Sequence, residues 1–271
     1  MNDSDQGRPD DPPRPTPVPR AGPLGVARGV AEAQTCAMAE ITAAPSFAGL
    51  PREAFGWFAE LEDNNSKPWF TAHRDTYDDA VRGPLEALLE ELADEHGGEV
   101  KLFRQHRDIR FSADKSPYKT TTYGVIAQRP DSLAALYLQL SSAGMFAGTG
   151  YYQMAADQLT RFRDAVADDA TGPELDRAVA ATHGAGVETF GEALKVAPRG
   201  YPRDHPRAHL LRHKSLIAGR RLTPGAKGIT RDAALTHART TWATCAPLNA
   251  WLDAHVGASE IPPPTRYGRG R

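Results

Sequence analysis

The sequence predicts an α+β fold in a single domain: an antiparallel β-meander of about four or five strands, packed by helices from both ends of the chain. Three observations carry this. Between residues 51 and 96 apolar residues recur at helical spacing. From residue 100 the period changes to two, and the extended runs are joined by short links rich in Gly, Ser, Pro and Asp, which only antiparallel pairing can accommodate. Helical spacing returns after residue 155.

Taken in order, residues 1–45 read as a disordered proline-rich tail. Prolines at 9, 12, 13, 15, 17, 19 and 23, with few aromatics, cannot bury enough surface to offset chain entropy. Met38 is the more natural start for the folded unit, so residues 1–37 are either an extension or a misassigned start. The domain is expected over 46–256. Pro51 suits the first turn of a helix over 51–62, with Phe55, Phe58 and Leu61 inward. Asp63-Asn64-Asn65 ends it and Pro68 opens the next, in which Trp69, His73, Tyr77 and Val81 share a face. Pro84 either kinks that helix or begins a third, with Leu85, Leu88, Leu89 and Leu92 as core and Glu86, Glu90, Glu91, Asp94 and Glu95 solvated. Strands are expected at 101–111, 121–128, 134–141 and 145–153, then helices at 155–168 and 173–183. Residues 186–196 are ambiguous. A basic, proline-rich loop at 197–208 leads through a helical turn to a possible strand at 215–222. The last helix, about 230–255, carries Leu235, Trp242, Leu248, Trp251 and Leu252, and residues 257–271 are expected to fray.

Composition excludes several classes. The chain has 271 residues, 40% hydrophobic and 24% charged, as in an ordinary globular protein. No apolar run approaches the roughly 18 residues that span a bilayer. The polar N-terminus carries no signal peptide, so a cytoplasmic protein without membrane attachment is expected. Cys36 and Cys245 are too few for a disulfide scaffold or a cysteine-based zinc site. The net charge of -2 hides an asymmetry. Residues 52–99 hold four basic and thirteen acidic residues, whereas 195–221 hold eight basic residues and only Asp204. The basic segments either meet to form a positive cleft or serve as ion-pair partners for the acidic helices.

The stretch 101–120, KLFRQHRDIRFSADKSPYKT, concentrates the chemistry. Lys101, Arg104, Arg107, Arg110, Lys115 and Lys119 face only Asp108 and Asp114. Read as a strand, it places Phe103, Gln105, Arg107, Ile109 and Phe111 toward the core and Arg104, His106, Asp108, Arg110 and Ser112 outward. Arg107 then needs a bulge or a buried partner. The run ADKSPYK is a turn, because Pro117 forces Ser116 out of the helical region.

The pattern R-x-x-R-D-x-R-F-S-x-D-K-x-P-Y-K, from Arg104 to Lys119, resembles the signature of a mainly bacterial family, domain of unknown function 2461. Two further blocks extend the resemblance. One is Asn64-Asn65 with Trp69-Phe70, Arg74 and Tyr77; the other is Pro198-Arg199-Gly200-Tyr201 with Asp204-His205-Pro206 and Lys214. That family brings no settled activity, so the resemblance implies a fold unit and residues of interest, and no reaction.

The expected function is binding of a phosphate- or carboxylate-bearing small molecule in a pocket lined by Arg, Lys and Tyr. Arginine presents a permanently charged fork of donors that fits such groups. The candidate ligand-binding residues are Arg104, Arg107, Arg110, Ser112, Lys115, Tyr118 and Lys119, completed by Arg199, Tyr201, Lys214 and Arg74. Asp108, Asp114 and His205 are the candidate catalytic residues, although an aspartate flanked by arginines stays ionised and suits an anchor better than a neutral-pH acid. His205, His209 and His213 stand four apart, but Pro206 puts His205 outside any helix and no H-E-x-x-H is present; no metal site is predicted. GMFAGTG at 144–150 reads as a hairpin or bulge, and no phosphate-loop, nucleophile-elbow, kinase or RNA-recognition signature occurs. No cofactor, reaction or oligomeric state is indicated. Two alternatives use the same cations. One is nucleic-acid binding, against which stand the near-neutral charge and the few aromatics in the basic blocks. The other is a scaffold role, docking an acidic partner.

Overall fold

The computed structural model describes residues 46–110 and 112–262. The proline-rich stretch, Met38, Cys36, Phe111 and residues 263–271 lie outside them. A short strand β1, Gly49–Pro51, leads into α1, Arg52–Asp63, whose Phe55, Trp57, Phe58 and Leu61 are buried. Helix α2, Lys67–Ala72, has Pro68 in its first turn, and the Ser66 hydroxyl caps it by accepting from the Trp69 amide.

The Pro84 question resolves as a continuous helix with a widened turn. Helix α3, Arg74–Thr76, runs through a π-type segment, Tyr77–Arg82, into α4, Gly83–His96. Proline cannot donate to the carbonyl one turn back, and the wider turn before it takes up the irregularity without ending the helix. Leu85, Leu88, Leu89 and Leu92 of α4 are fully buried, as expected. Its acidic face is not left to solvent alone. Arg239 grips Glu95, with Nε 2.9 Å from Oε2, and Arg231 pairs with Glu91. Both arginines lie on the last helix, and Glu86 meets Arg82 at 3.9 Å, so none of these three ion pairs draws on the two basic blocks.

The meander follows as β2, Glu99–Leu102; β3, Thr121–Ala127; β4, Ala135–Ser141; and β5, Gly144–Tyr151. The strand expected over 101–111 is corrected: it stops at Leu102, and residues 103–110 and 112–120 leave the sheet. Helices α5, Ala156–Ala167, and α6, Gly172–Gly184, precede β6, Glu188–Phe190, an edge strand that takes up three residues of the ambiguous stretch at 186–196. A one-turn helix α7, Ala208–Leu211, leads to β7, Leu216–Leu222. Then β8, Gly228–Thr230, pairs with β1, and α8, Arg231–His255, closes the domain.

The main sheet has six strands in the order β2-β3-β4-β5-β7-β6, every pair antiparallel. Alternation sorts its two faces. Ile126, Leu136, Leu138, Leu140, Met145, Ala147, Leu216 and Ala218 point to one face and are buried under the helices. Helix α8 lies beneath the middle of that face; Trp242 Nε1 donates to the Gly148 carbonyl at 2.9 Å, and Asn249 Nδ2 to Thr149 Oγ1 at 2.9 Å. Burying such a row of large side chains, at roughly 1.5–3 kcal/mol each, supplies the main driving force for the fold. The other face carries Tyr123, Val125, Tyr137, Gln139 and Phe146, all only half-buried.

Of the stretch expected to fray, residues 257–262 are described and the rest lies outside the described residues. Arg161 donates to the carbonyls of Val256 and Ala258, and Asp157 accepts from the Glu260 amide and the Ser259 hydroxyl, tying 257–260 to α5. No helix among the described residues is long and apolar enough to cross a membrane.

Candidate functional site

Residues 103–110 and 112–120 extend the β2–β3 hairpin beyond the sheet. The Phe103 amide donates to the Tyr123 carbonyl at 3.0 Å, the Lys119 amide to Gln105 at 2.9 Å, and the Arg107 amide to Pro117 at 2.9 Å, with His106 opposite Tyr118. A regular ladder cannot persist. Pro117 has no N–H, and carboxylates take over the next donors: Asp114 Oδ1 accepts from the Ser116 amide at 2.9 Å, and Asp108 Oδ1 from the Arg110 amide at 3.3 Å. Polar side chains therefore shape the arm where backbone pairing fails.

The family-like block upstream holds this arm in place. Asn65 bonds both the carbonyl and the amide of Tyr118, and Phe70 stacks on the Tyr118 ring at 4.1 Å between centroids. Gln105, expected on the core face, is indeed buried; its Oε1 accepts from Thr122 Oγ1 at 2.8 Å and its amide bonds the Lys119 carbonyl. Phe103 does not enter the core. Its ring stacks on Tyr123 at 4.7 Å, on the open face of the sheet.

Much of the charged signature is neutralised within the arm. Arg110 forks onto Asp108, Nε at 2.9 Å from Oδ1 and Nη2 at 2.6 Å from Oδ2, and these bonds hold the Asp108 carboxyl down at about 2. Arg107 pairs with Asp114 and reaches the Ser112 hydroxyl at 3.4 Å. Ser116 and Arg107 together keep Asp114 well below the usual carboxylate range. Two aspartates held ionised at neutral pH are anchors for arginines, poorly placed to donate or store a proton. Lys115 Nζ bonds the Ile109 carbonyl at 3.1 Å. Arg74 pairs with Asp78 on its own helix at 3.3 Å.

Two cations of this region, Lys119 and Lys101, face the open side of the sheet. Lys119 Nζ sits 4.5 Å above the centre of the Tyr123 ring and 3.2 Å from its hydroxyl, and donates to the Arg104 carbonyl at 2.8 Å. Lys101 Nζ lies 5.2 Å over Phe103. Arg104 is exposed, and its field reaches Asp108. On the arm's other side is a groove of about 500 Å³ lined by Glu62, Asn65, Arg107, Asp114, Tyr118 and Lys119.

The second basic block is elsewhere. The first block adjoins β2 and β3 at one side of the sheet, whereas Lys214 adjoins β7 near the other, so the two do not form one pocket. Lys214 pairs with Glu192. Tyr201 donates to Asp164 at 2.8 Å, and burial together with that bond pushes its hydroxyl up to about 12. Arg199 is exposed. Arg207 is buried and structural, capping the end of α5. The three histidines take separate partners: His205 Nδ1 accepts from the Arg207 amide, His209 meets Asp176 at 3.1 Å, and His213 meets the Ser215 carbonyl.

The feature that sequence reasoning missed is a row of rings on the open face. Phe103, Tyr123, Tyr137, Phe146 and Phe190 follow one another with centroid separations of 4.7, 5.6, 6.0 and 5.5 Å. Arg221 adds a cation 5.9 Å from the centre of Phe146. Tyr123, Tyr137, Phe146 and Phe190 each come from a different strand and Phe103 lies just past β2, so no single stretch of sequence displays the row.

The sequence profile of domain of unknown function 2461, described as a conserved hypothetical protein, matches residues 53–251. The chain belongs to this family. A search of curated proteins finds no match. The match covers α1 through most of α8, so the signature arm, the sheet and its open face all belong to the family's own unit.

Proposed function

We propose that this family member binds a ligand combining a phosphate group with a planar ring, as a nucleotide does, on the open sheet face beside the signature arm. The observation that carries the reading is Lys119 poised over the Tyr123 ring, with Phe103 stacked alongside and Lys101 and Arg104 at the same edge. Each component answers part of the ligand: the rings offer stacking surface and the ammonium groups take the phosphate. The signature's aspartates act as supports, because Asp108 and Asp114 hold Arg110 and Arg107 and so stiffen the arm that presents Lys119.

The groove behind the arm supports a ring-free anion less well. Its arginine is already paired with Asp114, and Glu62 also lines it.

The test is thermal unfolding with nucleoside phosphates, and with inorganic phosphate as the ring-free comparison. A ligand binding only the folded state at a hundred times its dissociation constant adds about 2.7 kcal/mol, a readily measured rise in midpoint. The rise is expected with nucleotides and is expected to vanish in Tyr123→Leu and in the double variant Lys101→Ala/Arg104→Ala. An equal rise with inorganic phosphate would move the site to the cations alone. No rise with any phosphate compound would overturn the reading.

A further inference from the structure

We infer that the natural ligand is a single strand of nucleic acid laid across the open face, from the signature arm at β2–β3 to the β6–β7 edge. The inference rests on the nucleotide-binding reading above and extends it from one subsite to a platform.

Four observations support a polymer over a mononucleotide. First, the rings continue well past the Tyr123 subsite; Tyr137, Phe146 and Phe190 carry the row over β4 and β5 to the far edge. Five interstrand steps of roughly 4.8 Å separate β2 from β6, far more than one base covers. Second, the face is built to expose rings. The Phe146 ring lies over Gly148 and Gly219; a Cβ at Gly219 would come within 2.3 Å of it, and one at Gly148 within 2.8 Å. Any larger residue there would lift or displace the ring. Third, cations punctuate the row along its length, Lys101 and Lys119 at one end and Arg221 over Phe146. Fourth, the row leads into a groove of about 690 Å³ at the far edge, lined by Ile217, Lys214, Glu192 and the largely exposed Tyr152, 72% accessible. Of the second basic block, Lys214 reaches this groove, where it pairs with Glu192.

The physics matches single strands in particular. Every base has a flat face, so rings at successive positions stack bases without reading sequence, while the cations follow the backbone. Open antiparallel sheets with outward aromatics hold about two or three bases in this way in RNA-binding domains. A duplex keeps its bases stacked inside and has nothing to offer the rings. Glu99 on β2 and Glu188 on β6 share this face, and Glu99 is engaged by Gln128 at 2.7 Å. These two acids occupy corners of the face and confine the backbone to the path between the cations.

The experiment is fluorescence anisotropy on the full chain. It uses labelled oligothymidylates and oligouridylates from dinucleotide to decanucleotide, a duplex of matching length, and a mononucleotide competitor. Affinity is expected to rise with length until the face is filled. Phe190→Ala and Tyr137→Ala are each expected to weaken the longer oligomers by at least about fivefold, with little effect on the mononucleotide. Should four cations engage phosphates, log affinity against log salt has a slope of about -3 for a single strand. Phe190 is 41% exposed, so its variant keeps the fold, and an unchanged thermal midpoint confirms that. A mononucleotide that binds as tightly as any oligomer, indifferent to Phe190 and Tyr137, would overturn the strand and leave the nucleotide subsite standing. Equal binding of the duplex would also overturn it. Failure of mononucleotide and oligomers together would remove both readings.

Discussion

Asn65 holds the Tyr118 peptide at both ends: its Nδ2 donates to the Tyr118 carbonyl at 3.0 Å, and its Oδ1 accepts from the Tyr118 amide at 3.1 Å. A side-chain amide here substitutes for the neighbouring strand that the arm lacks. Tyr118 is only 3% exposed, so water cannot replace these bonds easily. Asn65→Ala is expected to cost about 1–3 kcal/mol through two orphaned backbone groups, measured by urea unfolding. Asn65→Asp keeps the acceptor and loses the donor, so it should recover only part of that loss.

Arg207 illustrates a basic residue used for architecture. Its Nε donates to the Val166 carbonyl at 2.6 Å and Nη2 to Ala167 at 3.0 Å, satisfying the last carbonyls of α5, while Nη2 also reaches Asp169 at 2.8 Å. Arg207→Ala should destabilise by about 2–4 kcal/mol, since buried carbonyls lose their donor. Lysine cannot reproduce the fork, so Arg207→Lys should remain clearly below wild type in the same assay.

Gly219 tests the seat under Phe146. A Cβ there would meet Phe146 Cζ at 2.3 Å and the Ala147 carbonyl oxygen at 2.5 Å. The ring could swing away, but the backbone oxygen cannot. Gly219→Ala is expected to lower stability by about 1–3 kcal/mol, seen as a lower urea midpoint, and to weaken any ligand that stacks on Phe146.

His237 sets a pH dependence. Burial lowers its pKa, and Nε2 lies 3.1 Å from the Arg220 carbonyl, which requires the proton on that nitrogen. Burial moves His96 and His213 the same way. With the folded value depressed, the unfolded chain takes up the proton first. The stabilisation is therefore complete above the unfolded value of about 6.5 and is lost as pH falls toward the folded value. Urea midpoints should drop on acidification below about pH 6.5, and His237→Gln should flatten part of that slope.

The elements were legible wherever the apolar pattern was unambiguous. The stripes Phe55–Phe58–Leu61 and Leu85–Leu88–Leu89–Leu92 are buried as their spacing indicates, and Pro51 and Pro68 mark helix starts. The signature arm defeated the period-two reading because its alternation is made largely by ion-pairing and turn-forming side chains, which mimic a strand without supplying ladder partners. Phe103 was assigned to the core on that alternation and lies on the opposite face.

By itself the sequence determined the α+β class, the antiparallel meander, the family and the concentration of charge at Arg104–Lys119. These depend on local periodicity, on short links and on contiguous motifs. Only the tertiary structure decided which cations are neutralised, since Arg231 and Arg239 meet Glu91 and Glu95 across more than a hundred residues. It alone also decided that the two basic blocks lie toward opposite edges of the sheet and that Phe103, Tyr123, Tyr137, Phe146 and Phe190 form one row. The physical reason is register. Antiparallel pairing sets which residues of distant strands stand side by side, and the face that the helices cover fixes which side chains stay open to a ligand.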